Sequence, residues 1–274
     1  MNNNSILLID PNFDPAVSEQ LNLVLKIGIA NFSYAIVDHE KKQVLAVYDE
    51  QECENGYNKL YERLKNDSYL KRSYGDIKVA VHTENLIFIP NELYSETMLD
   101  SHTKYFHDVD SRNIYVQPDD NTGFTSIFSL PKSIEELIDQ HWPKNEKLQQ
   151  NIGLLHLAQQ YTENTLLIDF TVKSFEVAYG KGQQIIFQQS YQFDHIEEFN
   201  YYLLLIINQL GIGPVATTIK VMGIVHEHDE KWNCLAKYFT KIDFLIIESP
   251  LDVAILDDMP AHYYTSLLSL CQCG

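Results

Sequence analysis

Residues 165–193, TLLIDFTVKSFEVAYGKGQQIIFQQSYQF, decide the fold. They contain three segments that are apolar or alternate between apolar and polar residues, at 166–168, 172–179 and 184–191. A glycine-containing turn at 180–182 separates the second segment from the third. Short segments joined by such turns are typical of consecutive antiparallel strands. The stretch therefore predicts a three-stranded meander.

The first half of the chain repeats this design. Three strand-like segments again follow one another, at 21–29, 32–38 and 44–48. When Lys26 is aligned with Asp169, Phe32 falls on Phe175. Each half then has an amphipathic helix pattern followed by the same triplet, Ile-Lys-Val, at 77–79 and 219–221. Matching patterns at a nearly constant offset indicate an internal duplication.

The helix patterns can be stated residue by residue. Apolar residues spaced i, i+3, i+4 and i+7 mark one face of a helix, and they are Tyr57, Leu60, Tyr61 and Leu64 in the first half and Ile196, Phe199, Leu203, Ile206 and Leu210 in the second. Gly211 is the expected C-terminal stop of the second helix. Asp194 with Glu197 resembles a capping box at its start, and Ser133 with Glu136 predicts another capped helix.

The predicted fold class is α/β, with a three-stranded meander, a helix, a strand and a helix in each of two subdomains. We expect the first subdomain at 1–160, with an insertion outside its core at 99–123, and the second at 161–274. The expected core residues are Leu23, Leu25, Ile27, Val79 and Val81 in the first subdomain and Leu166, Ile168, Phe170, Ile219 and Val221 in the second.

The composition restricts the class of protein. The 274 residues carry a formal net charge of -18, and 45% of them are hydrophobic. This charge repels nucleic-acid phosphates and anionic membrane surfaces, so neither is an expected partner. No apolar run approaches a membrane span, and the first residues lack the basic region of a signal peptide. Four scattered cysteines do not suggest a disulfide framework, so a reducing cytoplasm is the expected compartment.

The order of elements resembles a known architecture. Two copies of three strands, helix, strand and helix look like the actin-like ATPase fold, a duplicated ribonuclease-H-like fold. The segment at 126–146, SIFSLPKSIEELIDQHWPKNE, is similar to the strand and helix near the end of the first half in PilM, FtsA and secretion-system L proteins. The pattern also resembles a bacterial family of unknown function with this fold. The resemblance covers the chain from about residue 20 onward.

The resemblance implies a nucleotide cleft whose signature residues differ in this sequence. Members that hydrolyse ATP carry Asp-x-Gly in the first turn of each half, where glycine admits the phosphates and aspartate holds magnesium. The first turn here has Lys26 and Gly28, so the carboxylate is replaced by a cation. The second has Asp169 and Thr171, so the glycine is replaced. The family's late Gly-Gly turn retains one glycine, Gly223.

Two functions are consistent with these altered turns. The first is a non-catalytic scaffold or protein-interaction module, with a protein partner or self-association and without catalytic residues, metal or cofactor. The second is a nucleotide- or anion-binding sensor or ATPase with an altered interdomain site, in which Lys26 and Lys173 bind the anion electrostatically. ATP and magnesium are expected only under this second function.

Lys26 and Asp169 also suggest a contact between the halves. The duplication makes them equivalent, and the corresponding acidic residues of ATPase relatives face each other across the cleft. Opposite charges there predict an ion pair, with the Lys26 amine within about 4 Å of an Asp169 oxygen or one water away. The alternative is that Lys26 extends from its strand end to solvent.

Three other clusters contain metal-ligating residue types. The first consists of His102, His107, Asp108 and Asp110, whose spacing fits no zinc signature, so an acidic solvated loop is the preferred interpretation. The second is the run at 226–229, where Asp229 is expected to cap a helix. The third is Cys271 with Cys273, which could bind metal or oxidise, although Cys271 is better explained as a packing residue.

Overall fold

Two units make up the chain. The computed structural model describes residues 4–107, 113–182, 184–247 and 251–272. Unit 1 comprises Met1–Ile152 and Leu251–Ile255, and unit 2 comprises Gly153–Pro250 and Leu256–Gly274.

The described residues contain fourteen strands: β1 (Ser5–Ile9), β2 (Asn22–Ile27), β3 (Phe32–Asp38), β4 (Gln43–Glu50), β5 (Asp76–Val81), β6 (Leu86–Pro90), β7 (Ile114–Asp119), β8 (Phe124–Ser129), β9 (Glu146–Gln149), β10 (Thr165–Phe170), β11 (Ser174–Lys181), β12 (Gln184–Gln192), β13 (Thr218–Gly223) and β14 (Ile242–Phe244).

The α-helices of the same residues are α1 (Gly56–Asn66), α2 (Leu99–Thr103), α3 (Lys132–His141), α4 (Ile152–Ala158), α5 (Ile196–Leu210), α6 (Glu230–Ala236) and α7 (Thr265–Ser269). Short 3₁₀ helices lie at Pro15–Gln20, Asn91–Leu93, Glu96–Met98, Ala254–Leu256 and Leu270–Gln272. Within this described part of the chain, no helix has both the length and the apolar character needed to span a bilayer.

Each unit has its own main sheet. In unit 1 the strand order is β1-β4-β3-β2-β5-β9, with β2, β3 and β4 as an antiparallel meander and β5 parallel to β2. In unit 2 the order is β12-β11-β10-β13-β14, with β10, β11 and β12 as the meander and β13 parallel to β10. The meanders therefore lie in separate sheets, and the predicted α/β class is confirmed.

The two meanders share an irregularity of register. The pairing of β3 with β4 shifts after Ile36, which lies opposite Leu23 of β2. The pairing of β11 with β12 shifts after Tyr179, which lies opposite Leu166 of β10. The two Ile-Lys-Val triplets also have equivalent pairing positions against the central strands. A β-bulge at the same place in both sheets is expected of a duplicated unit.

Each unit also has its own hydrophobic core. The buried cluster of unit 1 contains Leu23, Leu25, Ile27, Val79 and Val81, and that of unit 2 contains Leu166, Ile168, Phe170, Ile219 and Val221. These are all the residues that the sequence predicts, so both core predictions are confirmed. Burying one such aliphatic side chain contributes about 1.5–3 kcal/mol.

The helix predictions are correct in position but differ in detail. α5 ends at Gly211, which adopts the left-handed conformation with φ of 60°, as expected. Tyr61 is predicted on the buried face of α1 but is 52% exposed, and the Lys65 ammonium lies 3.9 Å from its ring centroid. The apolar stripe of α1 is therefore narrower than the spacing suggests, because Leu60 and Leu64 supply its buried part.

The two predicted capping boxes are wrong. α3 begins at Lys132, so Ser133 lies inside the helix and does not cap it. At the start of α5, Asp194 N–H donates to Glu198 Oε2 (2.8 Å), and the N-cap position is His195. Both boxes resemble the motif in sequence, but α3 has its N-cap at Pro131, before Ser133, and α5 has its N-cap at His195, after Asp194.

A second sheet of unit 1, in the order β6-β8-β7, contains part of the predicted insertion. β7 comes from the predicted insertion at 99–123, whereas β6 and β8 flank it. Tyr115 of β7 packs against the core cluster, stacks on Phe128 (5.0 Å between centroids) and donates its O–H to buried Glu135. β7 is absent from the main sheet, but its Tyr115 packs against the core cluster of unit 1. The placement of 99–123 outside the common core stays a prediction.

Candidate functional site

The carboxyl ends of β10 and β13 form the candidate site in unit 2. These strands are adjacent and parallel, and ligands of open α/β sheets bind at such ends. Asp169 is buried near the end of β10, and Gly223 ends β13 with φ of 75°. A Cβ at Gly223 would overlap the Phe170 carbonyl oxygen and crowd Asp169 Oδ1. The structure thus brings Asp169 and Gly223 together at a position that requires glycine.

Backbone amides at this site already donate to carbonyl groups of unit 2. Three such bonds are Thr171 N–H to Ser174 O (2.9 Å), Gly223 N–H to His262 O (3.0 Å) and Ile224 N–H to Phe170 O (2.7 Å). A phosphate-binding turn presents its amides to the ligand. These three amides are engaged within the protein instead.

Thr171 closes its own turn. Its Oγ1 accepts from Ser174 N–H (2.9 Å) and lies 2.7 Å from Ser174 Oγ. Threonine hydroxyls stabilise turns by such local bonds. The residue that replaces the glycine of the related motif therefore serves the turn.

Lys231 of α6 binds the loops that follow both strands. Its Nζ donates to Ile224 O (2.7 Å) and to Thr171 O (3.0 Å), and it lies 5.3 Å from the centroid of the Phe170 ring. Burial lowers the pKa of this amine to about 8. The carbonyl groups at the ends of β10 and β13 are thus held by a cation of the chain itself.

A cleft of about 500 Å³ lies beside Lys231. The acidic and basic residues that line it, apart from a histidine, are Asp194, Glu197, Asp229, Glu230 and Lys231. Four carboxyl side chains against one amine give the cleft a negative potential, which repels a polyphosphate. Asp229 Oδ1 also accepts from Trp232 N–H (2.7 Å), so its predicted role as the N-cap of α6 is confirmed.

The corresponding turn of unit 1 is closed as well. Gly28 N–H donates to Asn31 O (3.0 Å), and a Cβ at Gly28 would overlap Asn31 Oδ1. Gly56, at the start of α1, donates its N–H to Ile29 O (3.0 Å) and packs against the Gly28 carbonyl oxygen. The glycine of this turn is therefore retained because neighbouring groups of unit 1 fill the space around it.

Lys26 and Asp169 occupy equivalent positions within their own units. Lys26 lies opposite Ser33 in unit 1, and Asp169 lies opposite Glu176 in unit 2. Lys26 is only 4% exposed, so the alternative that its side chain extends to solvent is wrong. Asp169 and Glu176 are both buried and, as cross-strand neighbours, share one face of the sheet. The ion pair between Lys26 and Asp169 stays a prediction.

Two functional candidates were missed by the sequence reasoning. Asn31 lies in a turn, where asparagine is common, and Lys231 lies in the first turn of the short helix α6. Neither has a local pattern that indicates burial. For Asn31 the available signal was its position in the same turn as Gly28, whereas Lys231 is distant from Thr171 in the chain and offered no local signal.

The remaining clusters do not assemble a metal site in the part of the chain that the structure describes. No group of three or more His, Cys, Asp or Glu side chains there could hold a metal ion. His226 Nε2 is hydrogen-bonded to Tyr263 O–H. Asp108, Asp110 and Cys273 lie outside the described residues.

Solved structures with the same fold extend over nearly the whole chain. One is a Bacteroides thetaiotaomicron protein with an actin-like ATPase fold and unknown function (TM-score 0.78, 15% identity, 96% of this chain and 99% of that one). Others are the PilM-PilN type IV pilus biogenesis complex (0.59, 10%, 92% and 97%) and the cytoplasmic domain of EpsL, an inner membrane component of the type II secretion system of Vibrio cholerae (0.53, 12%, 93% and 96%). They confirm the predicted actin-like fold.

Curated proteins and family models complete the comparison. No curated protein matches the chain. A family model described as "Protein of unknown function (DUF3822)" matches residues 10–242, which is most of the sequence. The chain therefore belongs to the DUF3822 family, and it has the actin-like ATPase fold.

Proposed function

We propose that this protein is a non-catalytic scaffold, a protein-interaction module built on the actin-like fold. The observation that carries the proposal is the engagement of the turn amides: Gly28, Thr171 and Gly223 each donate N–H to a carbonyl of their own unit. A nucleotide phosphate needs these groups as donors, and breaking such bonds without replacement costs about 1–3 kcal/mol for each.

The charges of unit 2 support the same conclusion. Lys231 neutralises the carbonyl ends of the two turns, and the adjoining cleft is lined by four carboxyl side chains. In unit 1, the position that holds magnesium in ATPase relatives is Lys26. We therefore assign no catalytic residue and no cofactor, and ATP with magnesium belongs only to the alternative function.

A protein partner is the ligand class that we favour. PilM, a protein of the same fold, is found in a complex with PilN. That complex is a precedent for protein binding by this architecture, at a sequence identity of 10%. Self-association is the second possibility for this chain.

The cytoplasm is the compartment that we propose. Cys53 and Cys234 are buried and not in disulfides, and burial raises the pKa of the Cys53 thiol to about 11. Unpaired buried thiols suit a reducing environment.

A thermal-shift measurement tests the scaffold proposal. The protein is heated with ATP, ADP or GTP at about 5 mM with magnesium, and with tripolyphosphate at equal ionic strength as the control. A nucleotide whose Kd is about one hundredth of that concentration would stabilise the folded state by about 2.7 kcal/mol. We expect no shift beyond the control.

A specific shift with one nucleotide would contradict the scaffold proposal. It would favour the alternative, a nucleotide- or anion-binding sensor or ATPase that uses Lys26 and Lys173. In that case Lys173→Glu should abolish the shift, because it places a carboxylate beside the anion.

A further inference from the structure

The duplication shows which edge of a sheet lacks a neighbouring strand. In unit 1, β4 pairs with β3 on one side and with β1 on the other. In unit 2, β12 pairs with β11 as β4 pairs with β3, but among the described residues no strand lies on its outer side. The edge of β12 is therefore the open counterpart of an edge that β1 covers.

The matched registers locate the open stretch. β1 covers β4 from Ala46, opposite Ile9, to Glu50, opposite Ser5. Ala46 lies opposite Ile36 in β3, and the counterpart pair in unit 2 is Tyr179 with Phe187. By the same correspondence, Glu50 matches Tyr191. The uncovered stretch of β12 therefore runs over 187–191.

The bulge residues show what covering this edge changes. Leu45 is the extra residue of the unit 1 bulge, and its carbonyl oxygen accepts from Asp10 N–H (2.8 Å) directly after β1. It is 8% exposed, whereas its counterpart Ile186 is 49% exposed. Nearby on β12, Gln188 Nε2 is buried without a hydrogen-bond partner in the described part of the chain. Unit 2 thus exposes the apolar side chain of Ile186 where unit 1 has a paired strand.

The sequence of β12 does not protect its edge. Native sheet edges are usually guarded by charged side chains, proline or a very short strand. β12 is nine residues long, QIIFQQSYQ, and has neither charge nor proline. This is unusual in a chain with a net charge of -18 and suits main-chain pairing with another segment.

We infer that an extended, uncharged and largely apolar segment of a protein partner pairs antiparallel with β12 along 187–191. β1, with the sequence SILLI, shows the chemistry that covers the equivalent edge. A second copy of the chain is a poorer occupant because both copies are strongly acidic and β1 is already paired with β4. The inference rests on the proposed function and names the surface that the partner uses.

The test uses the full chain and a synthetic peptide of residues 4–10, NSILLID, as the probe. Binding is followed by fluorescence anisotropy and by hydrogen exchange of the backbone amides. We expect a Kd of about 100 µM or tighter, with protection confined to 184–192. The same peptide with Leu7→Pro should not bind, because it loses a main-chain donor.

Two matched variants locate the binding surface. Gln189→Lys puts an edge-guarding charge on an exposed position of β12 and should weaken binding about tenfold or more. Tyr201→Lys adds the same charge to α5, where the tyrosine is 63% exposed, and should leave the Kd unchanged. A disulfide between Gln189→Cys and a peptide with Leu7→Cys should form faster than with Leu8→Cys, because Leu7 lies opposite Tyr48, the counterpart of Gln189.

Three results would overturn the inference: no peptide binding, protection away from β12, or equal binding by Gln189→Lys. Protection of 187–191 that appears with protein concentration and without peptide would assign the edge to a second copy, which also overturns it. No nucleotide is present in this experiment. A negative peptide result therefore does not contradict the scaffold proposal. A nucleotide-specific thermal shift would contradict the scaffold proposal but would not test pairing at the β12 edge.

Discussion

Lys231 is a half-buried cation whose amine donates to backbone carbonyls, at 2.7 Å to Ile224 O and 3.0 Å to Thr171 O. Its amine loses solvation on folding, and that loss lowers the pKa. The same residue therefore closes the turns and makes the stability of unit 2 depend on pH.

We predict that the wild type gains stability relative to Lys231→Met as pH rises from 8 to about 9.5. The pKa of Lys231 is about 8 in the folded protein, below its ordinary value of 10.5. The unfolded chain therefore binds more protons in this range, and the free energy of unfolding rises with pH, by about 1–2 kcal/mol in total. Urea unfolding at several pH values measures this difference.

Lys173→Met is the control for the Lys231 experiment. The Lys173 side chain is 53% exposed in the same unit, so this variant should follow the wild-type pH dependence. If the free energies of unfolding of Lys231→Met and the wild type changed with pH in parallel, the predicted titration of Lys231 would be contradicted.

Asp67 of unit 1 is a buried carboxylate with several hydrogen-bond partners. Its side chain is 2% exposed, forms an ion pair with Arg63 and accepts from Tyr34 O–H (2.9 Å) and Tyr69 N–H (2.8 Å). We predict that Asp67→Asn lowers the free energy of unfolding by about 2–4 kcal/mol, because Arg63 loses its charged partner in a partly buried site. Tyr34→Phe should cost about 1–2 kcal/mol.

Urea unfolding also measures the Asp67 effect, with Glu62→Gln as the control. Glu62 is on the same helix and its side chain is 55% exposed, so this change should cost less than about 0.5 kcal/mol. Equal losses for Glu62→Gln and Asp67→Asn would contradict the assignment of Asp67 as a structural anchor.

At the scale of elements, the sequence predicts the positions of helices and strands well, but it predicts less well which of their side chains are buried and what those side chains contact. The positions of α5 and Gly211 follow from local spacing and from the freedom of glycine to adopt positive φ. Whether Tyr61 is buried depends on how α1 packs, which local spacing does not contain. The burial of Lys231 likewise depends on contacts with Thr171, sixty residues earlier in the chain. Such long-range contacts are why the closed turns could not be predicted in full.

The segment between β5 and α3 gives a prediction at this scale. Replacing 92–106 with a Gly-Ser linker should leave the melting temperature nearly unchanged, since Leu93 and Tyr105 are 64% and 77% exposed. Replacing 99–123 should lower it by roughly 5 °C or more, because the linker removes Tyr115 and its bond to Glu135. Calorimetry on both variants measures this. Equal melting temperatures would show that β7 does not support the core.

At the scale of the whole molecule, the duplication was predictable because each half repeats the same alternation and the same triplet. The matching bulges after Ile36 and Tyr179 were not predictable, since a bulge depends on strand register and leaves no fixed sequence pattern. The assignment of the five cleft residues to nucleotide binding stays a prediction. The structure shows that the amides of Gly28, Thr171 and Gly223 donate to carbonyl groups of their own units.

The ion pair predicted between Lys26 and Asp169 is tested by a charge-swap cycle. Lys26→Asp and Asp169→Lys should each lower stability by about 2–4 kcal/mol, because each leaves a like charge in a buried position. The double variant should recover at least 1 kcal/mol of the summed loss, which is a coupling energy typical of contacting residues. Additive losses in urea unfolding would show that the two side chains do not interact.

The central claim is that the nucleotide turns of this actin-like protein are closed by its own backbone and by Asn31 and Lys231. Equilibrium dialysis with labelled ATP and magnesium tests it most directly. We predict no saturable binding of ATP up to about 1 mM, and the same result for ADP, because the amides of Gly28, Thr171 and Gly223 already donate to carbonyl groups of their own units. Binding of one ATP per chain with a Kd below about 1 mM would contradict it, above all if Thr171→Gly and Lys231→Met bound no more tightly than the wild type.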